Sequence, residues 1–258
     1  MHRLLGAVLL IFLLTSTGMT QDFRIETDLY VGANAEPDLK YLTVFVGSTT
    51  YDFRLTEPIE TAIYDSSTMQ ITLLSSSRQI RTDIRQSELI DFMAGIKANV
   101  RESEPLLYFA CNPKFATEID ETSKTIDLTS SLLSYKIQAE SPKANFQGCV
   151  SRYQDFADWS SRLSAMRAGN LHLPPFARIE ANRLVAQKGW IPAEVTRTTV
   201  SRSKKLELRA KHTIHWMVPD PDRRRIAKVS TELIDFKPVP YAQYAQDNTV
   251  ASTKGTRR

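Results

Sequence analysis

The first part of the chain alternates apolar and polar residues with a period of two. One side of DFRIETDLYV carries Phe23, Ile25, Leu29 and Val31. The other side is mostly charged, which is the pattern of a strand with one buried face. Similar runs follow at residues 39–46, 49–55, 59–65, 69–75 and 78–84. The connections between them are too short for the crossover helix that parallel strands need, so we expect an antiparallel meander.

Helical spacing first appears in RQSELIDFMAGIKANV. The apolar residues three and four apart in this segment are Leu89, Phe92, Met93, Ile96 and Val100. They predict an amphipathic helix that covers the sheet. Short strands return at residues 115–120, 124–129 and 132–140.

The second half of the chain begins with two further helical segments. They run over residues 151–169 and 175–189, and each ends at a glycine. A long hairpin follows, with its turn near Ser201 to Lys204. The amphipathic run RIAKVSTELIDF fits a strand or a helix, and its apolar spacing favours a helix. We therefore expect an α+β fold: one antiparallel domain over residues 21–246 with a helical insertion near 149–189.

The N-terminus has the layout of a secretory signal peptide over residues 1–20. Arg3 precedes an apolar run from Leu4 to Leu14, and small polar residues follow it. A helix of that length rises about 16 Å, roughly half of a bilayer's hydrocarbon core. A retained membrane anchor is the alternative. We expect an exported protein, either periplasmic or extracellular.

The two cysteines, Cys111 and Cys149, form an even pair in a chain that we expect to leave the cytoplasm. Exported proteins fold where thiols are oxidised, so we predict one disulfide. Two buried free thiols remain the alternative, because the sequence does not show whether the residues approach within bridging distance.

The positive charge of the chain is concentrated at its ends. The formal net charge is +4, of which Arg3 contributes one and the C-terminal KGTRR three. The body between them is therefore near neutral, whereas a nucleic-acid binder concentrates positive charge on one folded face. We expect no nucleic-acid partner. Residues 247–258 lack apolar periodicity and are predicted to be a disordered basic tail.

The segment KHTIHWMV raises the question of a metal or catalytic site. Residues three apart on a strand point to opposite faces, so His212 and His215 cannot chelate one ion together. We interpret His212 as a hydrogen-bonded wall or core residue and His215 as a surface residue. His172, in the loop GNLHLPP, has no Cys, Asp or Glu partner close in sequence. We predict no metal.

Other catalytic motifs are absent from the sequence. No two glycines of residues 21–258 lie within six positions of each other, which disfavours phosphate-binding loops. The pattern S-x-x-K at Ser201 to Lys204 falls in a predicted turn and lacks its companion motifs. Carboxylates are plentiful, but the sequence does not place two across a cleft. We predict no enzyme activity and no cofactor. The run Asp222 to Arg225 is predicted to be an exposed charged turn that could contact an anionic envelope surface.

The order of elements resembles that of the periplasmic lipoprotein carriers LolA and LolB. The segments that carry the likeness are FRIETDLYVG, LTVFVGSTTYDF, ETAIYDSSTMQITLL and RQIRTDIRQSELIDFMAGIKA. WIPAEVTRTTV and LELRAKHTIHW resemble the later strands of that fold. The resemblance implies a curved, half-barrel-like sheet whose apolar inner face shelters acyl chains and is closed by helices. The region from Cys149 to Gly189 has no obvious counterpart in the small carriers.

These observations lead to a functional hypothesis. We expect an exported bacterial envelope protein that binds an apolar small molecule or a lipidated partner without catalysis. The predicted ligand wall consists of Leu29, Tyr41, Phe45, Phe53, Leu208 and Trp216. An envelope scaffold without a ligand cavity is the first alternative. A hydrolase with an unrecognised site is the second.

Overall fold

A six-stranded meander forms one half of the sheet. The structure, a computed structural model, describes residues 21–167, 173–202 and 204–246. The strands of the meander are β1 (Phe23–Val31), β2 (Leu39–Val46), β3 (Thr49–Arg54), β4 (Glu60–Asp65), β5 (Gln70–Ser75) and β6 (Ile80–Arg85). Two-residue turns suit such hairpins, and Gly47 supplies the positive φ of 53° that the turn between β2 and β3 requires.

Later strands extend this sheet from the other edge of β1. They are β7 (Ala116–Asp120), β8 (Thr125–Thr129), β9 (Leu133–Glu140), β10 (Ile191–Ser201) and β11 (Lys204–His215). A short strand, β12 (Lys237–Pro238), pairs in parallel with β6. The spatial order is β12-β6-β5-β4-β3-β2-β1-β11-β10-β9-β8-β7, so within the described residues the two meanders meet where β1 pairs with β11.

Helices cover both faces of the sheet. They are α1 (Gln86–Asn99), α2 (Pro105–Cys111), α3 (Cys149–Met166), α4 (Phe176–Gln187) and α5 (Asp220–Asp235), with a short helix at residues 241–246. We call the face against α3 and α4 the inner face, and the face against α5 the outer face. The predicted fold class, an α+β sheet covered by helices, is confirmed.

The connection between β9 and β10 determines how the inner face is covered. These two strands are antiparallel neighbours, yet α3 and α4 lie between them in sequence. The two helices contact each other, and apolar residues of α3 and α4 pack onto the inner face. The predicted helical insertion is thus the roof over the inner face.

Three apolar clusters lie on the inner face, and one lies on the outer face. Near β8 to β10, Tyr135 and Ile137 pack against Ala181 of α4. Near β4 to β6, Ile71, Leu73 and Ile84 pack against Leu89 of α1 and Leu163 of α3, and between these clusters Phe23 and Phe45 pack against Tyr153. On the outer face, Leu42, Phe53 and Leu74 pack against Val229 and Phe236. Burying such side chains stabilises the fold by about 1.5–3 kcal/mol each.

The sequence-based expectations for the helices need two corrections. Phe92 was expected on the buried face of α1, but it is 42% exposed, because the buried face of the helix is formed by Gln86, Leu89 and Met93. Residues 101–114 were assigned to no predicted element, and within them the apolar run LLYFAC forms α2, with Pro105 in the first turn. The run RIAKVSTELIDF is helical, as its spacing favoured.

The predicted disulfide between Cys111 and Cys149 is wrong. Both cysteines are buried free thiols. Helix α2, which ends at Cys111, contacts α4, β9 and β10, whereas Cys149 packs among Phe23, Phe45 and Phe146. Burial raises the pKa of both thiols, so neither is a reactive thiolate at neutral pH. The predicted signal peptide (1–20) and basic tail (247–258) lie outside the described residues.

Candidate functional site

A cavity of about 360 Å³ lies between the inner face and the roof. Pockets for small molecules have volumes of roughly 300–1,000 Å³, so this one is large enough for a ligand. Strands β1 to β4 and β9 to β11 supply its floor, and α3 and the start of α4 supply the opposite wall.

Small side chains at the centre of the sheet leave this space open. Thr27, Thr43, Ala62 and Ala210 all point from the inner face into the cavity. In the registers of the sheet, Thr27 lies opposite both Tyr41 and His212, so these side chains share the same face. Short side chains on the floor cannot reach α3, and the gap between sheet and helix therefore stays unfilled.

The structure brings three of the six predicted ligand-wall residues together. Leu29, Tyr41 and Leu208 line the cavity. Phe45 and Trp216 lie on the same face but belong to the aromatic cluster around Phe23, outside the cavity lining. The proposed role of the wall in binding a ligand stays a prediction.

Phe53, the remaining predicted wall residue, lies on the opposite face of the sheet. It is 5% exposed and packs beneath α5. Its strand neighbours Asp52 and Arg54 face the cavity instead. The apolar side of β3 is therefore its outer side, which α5 covers and buries.

We call one end of the cavity the paired end, defined by Asp52, Glu60 and Arg167. Glu60 accepts a hydrogen bond from the Arg167 guanidinium and another, of 2.9 Å, from the Tyr244 hydroxyl. Asp52 accepts a bond of 2.8 Å from the Thr43 hydroxyl. The charges at this end are thus engaged within the protein.

Burial perturbs the acid–base chemistry of the paired end. It raises the pKa of the Asp52 carboxyl to about 6, although the Thr43 hydrogen bond and the Arg167 charge oppose the change. Burial and the Asp52 charge raise the pKa of Tyr64 and of Tyr41. Asp52 therefore titrates in a range where a surface aspartate is already ionised.

We call the other end the arginine end, defined by Arg178, Arg197, Tyr135 and Tyr153. The Arg178 guanidinium lies 6.0 Å from the centre of the Tyr135 ring, and it opposes the rise that burial causes in the pKa of Tyr153. Tyr135 in turn opposes the fall that burial causes in the pKa of Arg197. The residues come from β9, β10, α3 and α4, so the tertiary fold alone assembles this end.

His212 lines the cavity as a neutral residue. Its Nδ1 lies 2.8 Å from the Thr27 hydroxyl, while its buried Nε2 has no hydrogen-bond partner among the residues that the structure describes. Burial, followed by the charge of Arg178, lowers its pKa to about 3. This is the hydrogen-bonded wall residue that the strand pattern indicated.

The remaining residues considered from the sequence lie away from the cavity. His215 is 3.6 Å from Glu26, and Ser201 pairs with Lys204 at the expected hairpin turn. Asp222 is buried in the first turn of α5, where it pairs with Arg24 at 2.8 Å. The predicted turn is therefore the start of a helix. Its acid is buried, whereas Arg223, Arg224 and Arg225 are exposed as predicted. His172 lies outside the described residues.

The sequence-based prediction missed the charged residues of the site. They are Asp52, Arg54, Glu60, Arg167, Arg178 and Arg197. The sequence contained a partial signal for Arg197. Val195 and Arg197 lie on the same side of an alternating strand, and Arg197 interrupts the apolar character of that side. No such local signal marks Arg167 or Arg178, which end and begin helical segments.

No family model matches the sequence, and no curated protein is significantly similar to it. Across residues 21–167, 173–202 and 204–246, no helix combines the length and apolar character needed to cross a membrane. The same residues contain no cluster of three or more His, Cys, Asp or Glu side chains suited to a metal ion.

Proposed function

We propose that this chain is an exported, noncatalytic binding protein of the bacterial envelope, whose cavity holds a small molecule with an apolar part. The observation that carries the proposal is the cavity itself, which is built by small residues on the sheet floor beneath a helical roof. A closely packed core of this size ordinarily leaves few voids larger than a water molecule.

The lining of the cavity favours an amphiphilic ligand over a wholly apolar one. Leu29 and Leu208 on the floor and Phe156 and Leu163 of α3 on the opposite wall all line the cavity. These side chains suit an alkyl chain, while ionisable residues lie at both ends. A ligand with a polar head and an apolar chain would satisfy both kinds of surface.

The arrangement of the chain supports the same hypothesis. A helix-covered antiparallel sheet with a space against its inner face is what the resemblance to LolA and LolB implies. The carboxylates of the paired end are already bonded to Thr43, Arg167 and Tyr244. Groups held in this way suit a structural role better than general acid–base catalysis, which needs a carboxyl group that reaches the substrate.

The competing hypothesis is an envelope scaffold that uses its outer surface. Met217 and Ile234, which are 69% and 84% exposed, support that alternative. Single exposed apolar residues are common on protein surfaces, so this observation is weaker than the cavity.

Native mass spectrometry of protein isolated from its own cell envelope tests the proposal. We expect a bound small molecule on the wild type. In the variant Ala210→Trp the indole would fill the cavity, so the adduct should be lost. Thr213→Trp is the matched control, because Thr213 is exposed on the other side of the same strand.

The outcome separates the two hypotheses. An adduct on the wild type and on Thr213→Trp, absent from Ala210→Trp, supports ligand binding in the cavity. A bare mass for every preparation, with all three proteins folded, contradicts the proposal and favours the scaffold.

A further inference from the structure

The arginine end gathers two guanidinium groups at one place in the cavity wall. Arg197 lies opposite Tyr135 on β9 and Leu208 on β11, so it points toward the cavity from the sheet. Arg178 reaches the same Tyr135 ring from α4, at 6.0 Å. The two cations therefore approach the space from opposite walls, and the tyrosine between them orients both.

The electrostatic environment of this end is positive. Burial lowers the pKa of Arg197, and the nearby Arg178 charge lowers it further, with Tyr135 opposing both. Arginine nevertheless keeps its charge in proteins. Burial also raises the pKa of Tyr135 and Tyr153, so both hydroxyls stay neutral and cannot balance the arginines.

Asp158, an acidic neighbour of Arg178, does not belong to the cavity wall. Asp158 is a neighbour whose pKa the Arg178 charge lowers, against a larger rise caused by burial. Its carboxylate accepts a hydrogen bond of 2.7 Å from the Asn182 amide. Asp158 is absent from the cavity lining, so an anion inside the cavity would meet the arginines without meeting this carboxylate.

The start of α4 reinforces the positive potential. Pro174, Pro175 and Arg178 line the cavity, so the N-terminal end of this twelve-residue helix adjoins it. Among the residues that the structure describes, no side chain caps that end. The helix dipole therefore adds to the field of the two guanidinium groups, and both favour a negative ligand group.

The paired end offers no comparable attraction for an anion. There the lining carries Asp52 and Glu60 beside Arg54 and Arg167, and Glu60 pairs with Arg167. An anionic head would meet two carboxyl groups and two guanidinium groups at that end. At the arginine end, the described lining holds two guanidinium groups and no carboxyl group, so the net charge of the lining differs between the two ends.

We propose that the arginine end binds the anionic head group, a carboxylate or a phosphate monoester, of a single-chain amphiphile whose alkyl chain lies against Leu29, Leu208 and Phe156. This inference rests on the proposed function and specifies its ligand class. Guanidinium groups suit both kinds of head, because their paired N–H donors match the spacing of carboxylate and phosphate oxygens.

The test measures the affinity of the full chain for three probes that share one alkyl chain: dodecanoate, dodecyl phosphate and dodecanol, each below its micellar concentration. We expect the wild type to bind at least one anionic probe about 10-fold more tightly than dodecanol, since a hydrogen bond to a charged group contributes about 1.5–3 kcal/mol. Whichever anionic probe binds more tightly identifies the head group.

Arg178→Met and Arg197→Met should each reduce that preference severalfold while leaving the dodecanol affinity nearly unchanged. The retained dodecanol binding reports that the variants fold. Arg178→Lys should keep part of the preference. Arg183→Met is the matched control on α4, because Arg183 pairs with Glu180 on the solvent side, and it should behave as the wild type.

Three results would overturn the inference, and they differ in what else they affect. Equal affinities of the wild type for dodecanol and both anionic probes would refute anion recognition, while the proposed binding function would stand. Absence of binding for all three probes would refute both. Loss of anionic selectivity in Arg183→Met to the same extent as in Arg178→Met would also contradict the assignment.

Discussion

The two faces of β2, β3 and β4 differ more than their sequence pattern indicates. On the outer face, Leu42, Phe53 and Ile63 form an apolar layer beneath α5. On the inner face the same strands present Thr43, Asp52 and Ala62 to the cavity. The better-packed hydrophobic core of these strands is therefore on the outer face. The inner face combines small and ionisable side chains, which suits a binding surface more than a core.

The largest expected effect follows from this difference in packing. Phe53→Ala should lower the free energy of unfolding by about 3–5 kcal/mol, because it opens a void in a closed apolar layer. Leu208→Ala on the inner face should cost only about 1–2 kcal/mol, because Leu208 already borders a cavity. Urea unfolding measures both. Equal losses would show that the two faces are packed alike.

The sequence did not determine which face of the sheet Phe53 lies on. The alternation in TTYDFRL correctly indicated a strand with two unlike sides. It could not say which side faces the cavity, because α5 lies far along the chain and buries the apolar side. Leu29 and Leu208 lie on the inner face, since the outer face of β1 and β11 is charged and partly exposed.

The meander itself was predictable because its information is local. Short turns such as Gly47-Ser48 fix the pairing of neighbouring strands. The arginine end was not predictable, because Arg178 and Arg197 meet only when α4 folds back over β10. The absence of the disulfide was also not predictable from the sequence, because it depends on where α2 and α3 pack.

The second effect concerns the buried acid of the inner face. Because the pKa of Asp52 is raised to about 6, the folded state holds a proton that the unfolded state releases from about pH 4 upward. The stability contributed by this group is present below the unfolded pKa and is lost as the pH rises through about 6. Asp52→Asn should therefore stabilise the protein at pH 8, by up to about 3 kcal/mol, and have little effect at pH 3.5.

Urea unfolding of the wild type and the variant at both pH values measures this difference. Comparing the two proteins at each pH removes the contribution of His212, whose lowered pKa acts in the opposite direction. Asp65→Asn is the matched control, because hydrogen bonds from Ser67 lower the pKa of Asp65. That substitution should lose stability at pH 8. A gain at pH 8 from both substitutions would contradict the assignment to burial.

A smaller effect distinguishes the two ends of the inner face. Tyr244→Phe removes the hydroxyl that donates to the Glu60 carboxylate, and we expect a loss of about 1.5–3 kcal/mol. Tyr153→Phe should cost less, about 1 kcal/mol, because the hydroxyl it removes borders the cavity. Thermal unfolding checks the order of the two values. A reversed order would place the tighter polar network at the arginine end.

The last prediction concerns a reductant, which we expect to leave the stability of the protein unchanged. Cys111 and Cys149 are free, so dithiothreitol should leave the melting temperature unchanged. Thiol labelling of the denatured, unreduced protein should modify both cysteines. Destabilisation by reductant, or failure of the thiols to label, would indicate that a disulfide links Cys111 and Cys149.

Alanine-methyl NMR during titration with dodecanoate tests the central claim most directly. The methyl groups of Ala62, Ala157 and Ala210 line the cavity, whereas Ala110 and Ala181 are fully buried in the neighbouring core. We predict saturable shifts of the three cavity methyl groups, with much smaller shifts of the two core ones. Uniform shifts across all five, or none at saturating probe, would contradict a ligand bound between the sheet and its helical roof.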